Sequence, residues 1–538
     1  MKRALPLLLL AGLCLWHLAL RRHGLDLPMI SDEGEYACQA VLLAEGGVPY
    51  RDAYDQKPPA VFFLYRASFA LFGKSASSPR KLAVLASWTT MILLFFLVPA
   101  SWGLAARFLA AAAFAALSTQ PVGDLAFPAN TEVFLCPLLC AAALFTRDAR
   151  PLLSGLAVGA ALMTKQTALW PALAFGALLL RPLPFSARPS RTTERRSFGT
   201  YPTDAFPMLG TSPEALGSRR GRSGLLRYLV GLAAVPALFL AYFAVRGGLA
   251  DFVEQAFLRN MGYAGLTGTP QALLEQSSWF VRSLAPLLLK AEWPVWALAF
   301  LGLAREARAG SLELLGALWL GASLLGALTG FLLFPHYFLQ AAPALAFCAA
   351  AGVRRLGRWA WGAALFAALW PAAVWAGPYF RDPPQTLARR LLYPNPLYEA
   401  EQAASFIRAR SGPADRVYVF GSEPQIYFLS ERRWATRHIF VYPLTLFPKG
   451  MRDAERELEA LAAAPPRFIV FSTLPASTLV ASEPGRRLQA GVEGLLRARY
   501  VHLGAVQSLP EGSRSTLSDE ASPPRWDLPD ALLVFRLR

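Results

Sequence analysis

The ionisable side chains best placed for chemistry crowd into one stretch, SDEGEYACQAVLLAEGGVPYRDAYDQKPPA (31–60), directly after an apolar segment of membrane-spanning length. It carries adjacent carboxylates, Asp32 and Glu33, then a second cluster of Arg51, Asp52, Asp55 and Lys57, interleaved with Tyr36, Tyr50 and Tyr54. On a helix, neighbouring side chains diverge by about 100°, so Asp32 and Glu33 cannot serve one reacting atom symmetrically. Either one faces a reaction centre while the other holds the loop, or the pair caps the helix that follows. Lys57 precedes Pro58-Pro59, whose fixed φ sets the direction of the aromatic segment beyond. A lysine at such a point suits phosphate as a compact charge, or else anchors the loop at the membrane interface.

Three further segments add charge on the same side of the predicted spans. In GDLAFPANTEVF (123–134) Asp124 and Glu132 flank a turn. In LMTKQTAL (162–169) Lys165 and Gln166 interrupt two apolar runs, and ionisable groups between such runs are functional candidates. In GFLLFPHYFLQAAPALA (330–346) His336 and Tyr337 follow a proline. A carboxylate dyad, two lysines and a histidine at one membrane face suit group transfer from an anionic lipid to a hydroxyl or amine. The carboxylate takes the acceptor's proton and the cations neutralise the departing phosphate.

The elements that must position these groups follow from composition. Of 538 residues, 54% are hydrophobic and 17% charged, well under the roughly 25% charged of a soluble domain. Apolar runs predict eleven spans near 4–20, 82–100, 104–119, 131–146, 151–164, 167–181, 227–246, 283–304, 311–331, 337–353 and 359–377. The net charge of +17 is carried in short loops between those runs, as the positive-inside rule expects, which excludes a nucleic-acid binder. That rule places the N-terminus inside, the first loop (21–81) outside and the C-terminal residues outside. Arg21 and Arg22 are the exception, expected to snorkel to the outer interface. Five cysteines, four of them in apolar runs, form no disulfide framework or zinc motif.

Residues 185–224, rich in Arg, Ser, Pro and Gly, read as a disordered cytoplasmic loop. DFVEQAFLRN (251–260) reads as an amphipathic piece lying on the membrane surface. After residue 378 the pattern changes. RVYVF (416–420), RFIVFS (467–472), YVHLGAV (500–506) and ALLVFRL (531–537) read as buried strands, with EAEQAASFIRAR between as helix. The expected fold is a polytopic α-helical membrane domain (1–377) followed by an extracytoplasmic α/β domain (378–538).

DEGEYACQAVLLAEGGVPYRDAYDQKPPAVFFLY closely resembles the first outer loop of bacterial C-type (GT-C) glycosyltransferases, in the group of dolichyl-phosphate-mannose–protein mannosyltransferases and the aminoarabinose transferase of lipid A. GALMTKQTAL and FPHYFLQAAPALA look like further segments of that group. The resemblance implies an inverting glycosyltransferase in the bacterial cytoplasmic membrane, using a polyprenyl-phosphate-sugar donor and an envelope lipid, glycan or protein acceptor. Within it, Asp32 matches the general base with Glu33 beside it. Lys57, Lys165 and His336 match donor-phosphate contacts. Tyr36, Asp55, Glu132, Gln166 and Tyr337 are the expected substrate-pocket residues. It implies no cofactor and no metal. Gln56 stands where the aminoarabinose branch has a carboxylate, which argues against that sugar, and Leu332 stands where many relatives carry an arginine. Alternatives of other classes are a lipid-linked-sugar flippase and a non-catalytic envelope assembly protein. The first predicts internal repeats, of which the sequence shows none; the second predicts no requirement for Asp32.

Overall fold

The computed structural model describes residues 4–125, 127–180, 213–260, 270–304, 312–330, 332–446 and 451–538. Helices α1 (Leu5–Arg21), α2 (Ser31–Ala44), α3 (Ala60–Phe72), α4 (Ser77–Leu97), α5 (Leu104–Leu117), α6 (Thr131–Arg147), α7 (Pro151–Thr164), α8 (Leu169–Leu179) and α9 (Pro213–Val245) follow in order. Long helices Ala285–Leu303, Leu312–Leu328, Ala342–Val353 and Ala360–Val374 complete the helical body, so each of the eleven apolar runs contains a helix. Among the described residues, five apolar helical segments are long enough to cross a membrane by length and composition: Leu5–Leu25, Ser77–Leu97, Ser223–Val245, Leu274–Leu303 and Pro335–Val374.

Small residues let these helices pack closely. A Cβ at Gly155 of α7 would collide with the Tyr228 carbonyl, and one at Gly231 of α9 with the Leu152 carbonyl, so α7 and α9 meet backbone to backbone. The alanine-rich α5 is buried along nearly its whole length. Outward positions of α9 (Leu226, Leu229, Val230, Leu238, Val245) remain exposed, as a lipid-facing helix requires.

Three expectations change. The predicted disordered loop lies outside the described residues over 185–212, and from Pro213 the chain is already α9. Arg21 does not snorkel: it is buried, and its Nη2 donates to the carbonyls of Phe127 (3.2 Å) and Pro128 (3.4 Å). The 251–260 piece does not lie free on a membrane surface. Its Phe252, Gln255 and Ala256 are buried, and Gln255 joins the first loop by accepting from Asp55 N (3.2 Å) and donating to Tyr50 O (2.9 Å).

The C-terminal region holds a six-stranded sheet: β1 (Arg416–Phe420), β2 (Arg433–Trp434), β3 (Phe468–Ser472), β4 (Tyr500–Leu509), β5 (Gly512–Ser515) and β6 (Ala531–Leu537). Its order is β2-β1-β3-β6-β4-β5, with β2, β1 and β3 parallel and β6 antiparallel to both neighbours. Both faces are covered, which is why the strands read as continuous apolar runs. Val417, Val419, Phe468 and Val470 point into a core shared with helix Leu397–Ala409 and the membrane body. Tyr418, Phe420, Ile469 and Phe471 point the other way, onto Leu461, Leu488, Val492 and Leu496 of helices Met451–Ala463 and Glu483–Arg499.

The sheet domain sits on the first loop. Tyr54 N donates to Arg437 O (2.7 Å), Trp434 Nε1 to Asp52 O (3.3 Å) and Gln56 Nε2 to the Tyr442 hydroxyl (2.7 Å), while Phe69 of α3 stacks on Phe428 (5.4 Å). Gly34 in α2 exists for this contact. A methyl group there would collide with the backbone of Gln425, which follows β1.

Candidate active site

α2 starts at Ser31 and turns its two leading carboxylates in different directions. Glu33 points inward and is fully buried. Its Oε1 accepts from Arg80 Nε (2.8 Å) and from Ala129 N (2.9 Å), and its Oε2 accepts from Ile30 N (3.3 Å) and pairs with Arg80 Nη2. Arg80, at the start of α4, spends its remaining donors on the carbonyls of Gly24 (3.1 Å), Leu27 and Pro28 (2.9 Å). The structure thus turns Glu33, expected to be catalytic, away from the cavity and onto Arg80. Both oxygens are committed, and Glu33 fastens α2, α4 and the Pro128–Ala129 turn together.

Asp32 faces the other way, into a cavity of about 270 Å³ lined also by Gln56, Lys57, Asp124, His336, Tyr337, Ser422 and Tyr442. Lys57 Nζ lies 3.5 Å from Asp32 Oδ2, and both side chains keep some exposure, 20% and 29%. Burial alone would raise the Asp32 pKa, but Lys57, His336 and Lys165 outweigh it and hold the carboxyl below its ordinary value. For Lys57 burial opposes the charge, yet Asp32 and Glu35 raise its pKa well above the usual lysine range. Asp32 is thus an ionised carboxylate and Lys57 a fixed cation, side by side at one opening.

The first loop holds Lys57 in place through a strained turn. Tyr50 adopts a left-handed conformation (φ 68) while fully buried, an uncommon state for a bulky residue. Its hydroxyl donates to Lys57 O (2.7 Å), and its carbonyl accepts from Gln255 Nε2 and Arg437 Nη2 (3.0 Å). Asp55 Oδ1 accepts from Lys57 N (2.8 Å), and Gln39 Nε2 contacts Asp55 Oδ2 at 3.4 Å. Beneath lies Glu35. Burial raises the pKa of both Glu35 and Asp55, and the neighbouring Asp55 charge lifts Glu35 further. The two form a buried carboxyl pair under the loop. Asp55, expected as a substrate contact, thus sits in the base of the loop, outside the cavity lining.

The second polar layer comes from α6, the α7–α8 junction and the 335–341 turn. His336 Nδ1 lies 2.6 Å from Asp124 Oδ2, and its Nε2 lies 3.9 Å from Glu132 Oε1. Lys165 pairs with Glu132 and sits 3.8 Å above the Tyr337 ring. Of the ten residues singled out from sequence, Asp32, Lys57, His336 and Tyr337 line the cavity. Lys165 and Glu132 stand behind that lining as an ion pair. Gln166 is turned to the Gln56 (3.2 Å) and Ala256 (2.8 Å) carbonyls, and so splints two loops. Tyr36 is buried among Phe62 and Tyr65, with its hydroxyl 3.5 Å from Asp32 Oδ2, so it supports the carboxylate from below. Tyr36, Asp55, Glu132 and Gln166, expected to bind substrate, thus lie outside the lining of that cavity.

Sequence reasoning missed the outer wall. Asn395, Ser422, Tyr442 and Leu479 come from beyond residue 378. No spacing in the sequence relates them to Asp32, since only the docking of the C-terminal region on α2, α3 and the first loop brings them there.

Residues 56–188 match the family model described as dolichyl-phosphate-mannose-protein mannosyltransferase. Among solved structures, the chain is similar to apo ArnT from Cupriavidus metallidurans, with a TM-score of 0.56, 16% identity and coverage of 99% of this chain and 98% of that one. The same enzyme bound to undecaprenyl phosphate gives 0.52, 15%, 99% and 98%. The archaeal oligosaccharyltransferase AglB from Archaeoglobus fulgidus, in complex with an inhibitory peptide and a dolichol-phosphate, gives 0.51, 12%, 97% and 75%. The chain has the GT-C fold. No curated protein matches it significantly. The family-model match and the GT-C fold point to one class, a multi-pass membrane glycosyltransferase.

Proposed function

We propose that this chain transfers a single sugar from a polyprenyl-phosphate donor to a hydroxyl on an envelope acceptor, with inversion at the anomeric carbon. The observation that carries the reading is the Asp32–Lys57 pair, 3.5 Å apart at the mouth of one cavity that His336 also lines. Asp32 is the general base and takes the acceptor hydroxyl's proton as its oxygen bonds to the anomeric carbon. The anomeric bond to phosphate breaks on the opposite face, and the electron pair leaves with the polyprenyl phosphate. Lys57 and His336 stabilise the phosphate's charge, so the leaving group needs no proton. Lys165, tied to Glu132, keeps the field behind them positive.

The bound lipid phosphates of the undecaprenyl-phosphate ArnT and dolichol-phosphate AglB structures support this class of donor. Arginine-bearing loops between the spans support a reading with the site and the C-terminal domain on the outer side of a bacterial cytoplasmic membrane. The test is mass spectrometry of envelope lipids, glycans and glycoproteins from cells with and without the chain, and from cells carrying Asp32→Asn. One product differing by a single sugar, lost in both the deletion and the variant, is expected. Unchanged profiles in the deletion would remove the transferase reading.

A further inference from the structure

Both lysines of the site stand next to a glutamine, Gln56 before Lys57 and Gln166 after Lys165. These neighbours meet. Gln166 Nε2 donates to the Gln56 carbonyl (3.2 Å) and to the Ala256 carbonyl (2.8 Å). Asn260 Nδ2 donates to the same two oxygens, at 2.6 Å and 2.9 Å. Two carboxamides from different segments thus bridge one pair of backbone carbonyls, and the Gln56 oxygen receives as many N–H groups as its lone pairs can take. The contact depends on local irregularity on both sides. Lys165 is extended (φ −155, ψ 134) at the end of α7, so Lys165 and Gln166 leave the helix in different directions. Ala256 lies in a π-turn, Glu254–Leu258, a widening of the helix that recurs at functional sites.

This clasp fixes the backbone that carries Lys57. The Gln56–Lys57 peptide is held at its oxygen by the two carboxamides and at its nitrogen by Asp55 Oδ1 (2.8 Å), while the Lys57 carbonyl accepts from the Tyr50 hydroxyl (2.7 Å). A lysine carries its charge on a flexible four-carbon stem, so where the ammonium stands depends on how firmly its Cα is held. The clasp reaches the second lysine because Gln166 adjoins Lys165. It extends to the histidine as well: Thr167 Oγ1 donates to Gln340 Oε1 (2.8 Å), and Gln340 belongs to the Pro335–Ala341 turn that carries His336. The three cation-bearing segments are therefore joined through uncharged side chains. Carboxamides suit the task, since each supplies two donors without a charge that would compete for the phosphate or for Asp32. Asn260 adjoins neither lysine and lies outside the cavity lining. Its removal opens the clasp and leaves the charges of the site in place.

We propose that Asn260 and Gln166 are positioning residues for Lys57, holding it in fixed register with Lys165 so that it meets the donor phosphate. This rests on the reading of Lys57 as a donor-phosphate contact. The experiment titrates full-length protein in lipid nanodiscs with undecaprenyl phosphate, comparing wild type, Asn260→Ala, Lys57→Ala and the double variant, and follows hydrogen exchange in each without ligand. Asn260→Ala is expected to weaken binding about fivefold to tenfold. In the Lys57→Ala background it should add almost nothing, because it acts through that lysine. Exchange at the amides of 54–57 should quicken in Asn260→Ala, although the substitution lies in another segment. Gln166→Met, which keeps the side chain's length but has no donor, should repeat both effects. Unchanged affinity in Asn260→Ala, equal losses in both backgrounds, or unchanged exchange over 54–57 would overturn the positioning role. If Lys57→Ala itself binds undecaprenyl phosphate like wild type, the donor-phosphate reading falls instead, and the exchange measurement alone decides whether the clasp holds Lys57.

Discussion

Two carboxylates side by side on α2 have opposite fates. Glu33 is sealed against Arg80 with every oxygen satisfied, while Asp32 stays at a water-accessible opening beside Lys57. The chemical group is the same and the helix is the same. What differs is the direction of the Cα–Cβ bond, about 100° apart around the axis, and hence the dielectric and partners each one meets. The lesson is that the cavity-facing carboxylate has a structural twin: the buried pair anchors α2, so that its neighbour is held against the cavity.

The contrast breaks most visibly at Asp32. Asp32→Asn should lower transfer by at least about 100-fold, the scale of a lost general base, with the melting temperature in detergent unchanged; near-normal turnover would exclude Asp32 as base. Glu33→Gln should do the reverse. It leaves Arg80 buried without its counter-charge, at a cost of about 3–5 kcal/mol, read as lost expression and a lowered unfolding midpoint. A stable Glu33→Gln protein with specifically lost turnover would make Glu33 catalytic after all.

Gly34, between the twins, tests the outer wall. Gly34→Ala forces a methyl group into the Gln425 backbone and should cost about 1–3 kcal/mol of overpacking. It should also loosen the C-terminal domain, seen as faster hydrogen exchange over 421–430; unchanged exchange would mean the two parts are not coupled there. Lys57→Ala should weaken donor binding by about tenfold or more while sparing acceptor binding, measured by titration with undecaprenyl phosphate.

The smallest expected effect concerns pH. Burial raises the pKa of Glu35 and Asp55 above their ordinary values, so the folded state holds protons more tightly than the unfolded one. Stability from this pair is present at pH below the ordinary carboxylate range and is lost as pH rises through the raised values. Asp55→Asn should flatten that slope in thermal unfolding. A slope that persists would place its origin elsewhere.

Much of this was legible in residues alone. The runs of apolar side chains located the helical body, because a bilayer demands long uninterrupted hydrocarbon-compatible segments. The strands at 416–420, 468–472, 500–509 and 531–537 were legible for a related reason, since both sheet faces are covered. The short strands β2 and β5 were not: two and four residues carry too little pattern to register. Arg80 escaped notice because an arginine at a span boundary looks like a solvated end charge, and only its full set of carbonyl partners shows otherwise.

The one-dimensional chain determined the membrane class, the sheet domain and which loop bears the charges, all consequences of local periodicity and hydrophobicity. Which charge faces the cavity, and which is sealed in an ion pair, was settled by folding. Asp32, Lys57 and His336 meet Ser422 and Tyr442 only because distant segments pack together, and a side chain's solvation and electrostatic neighbours are properties of that packing, not of its position in the sequence.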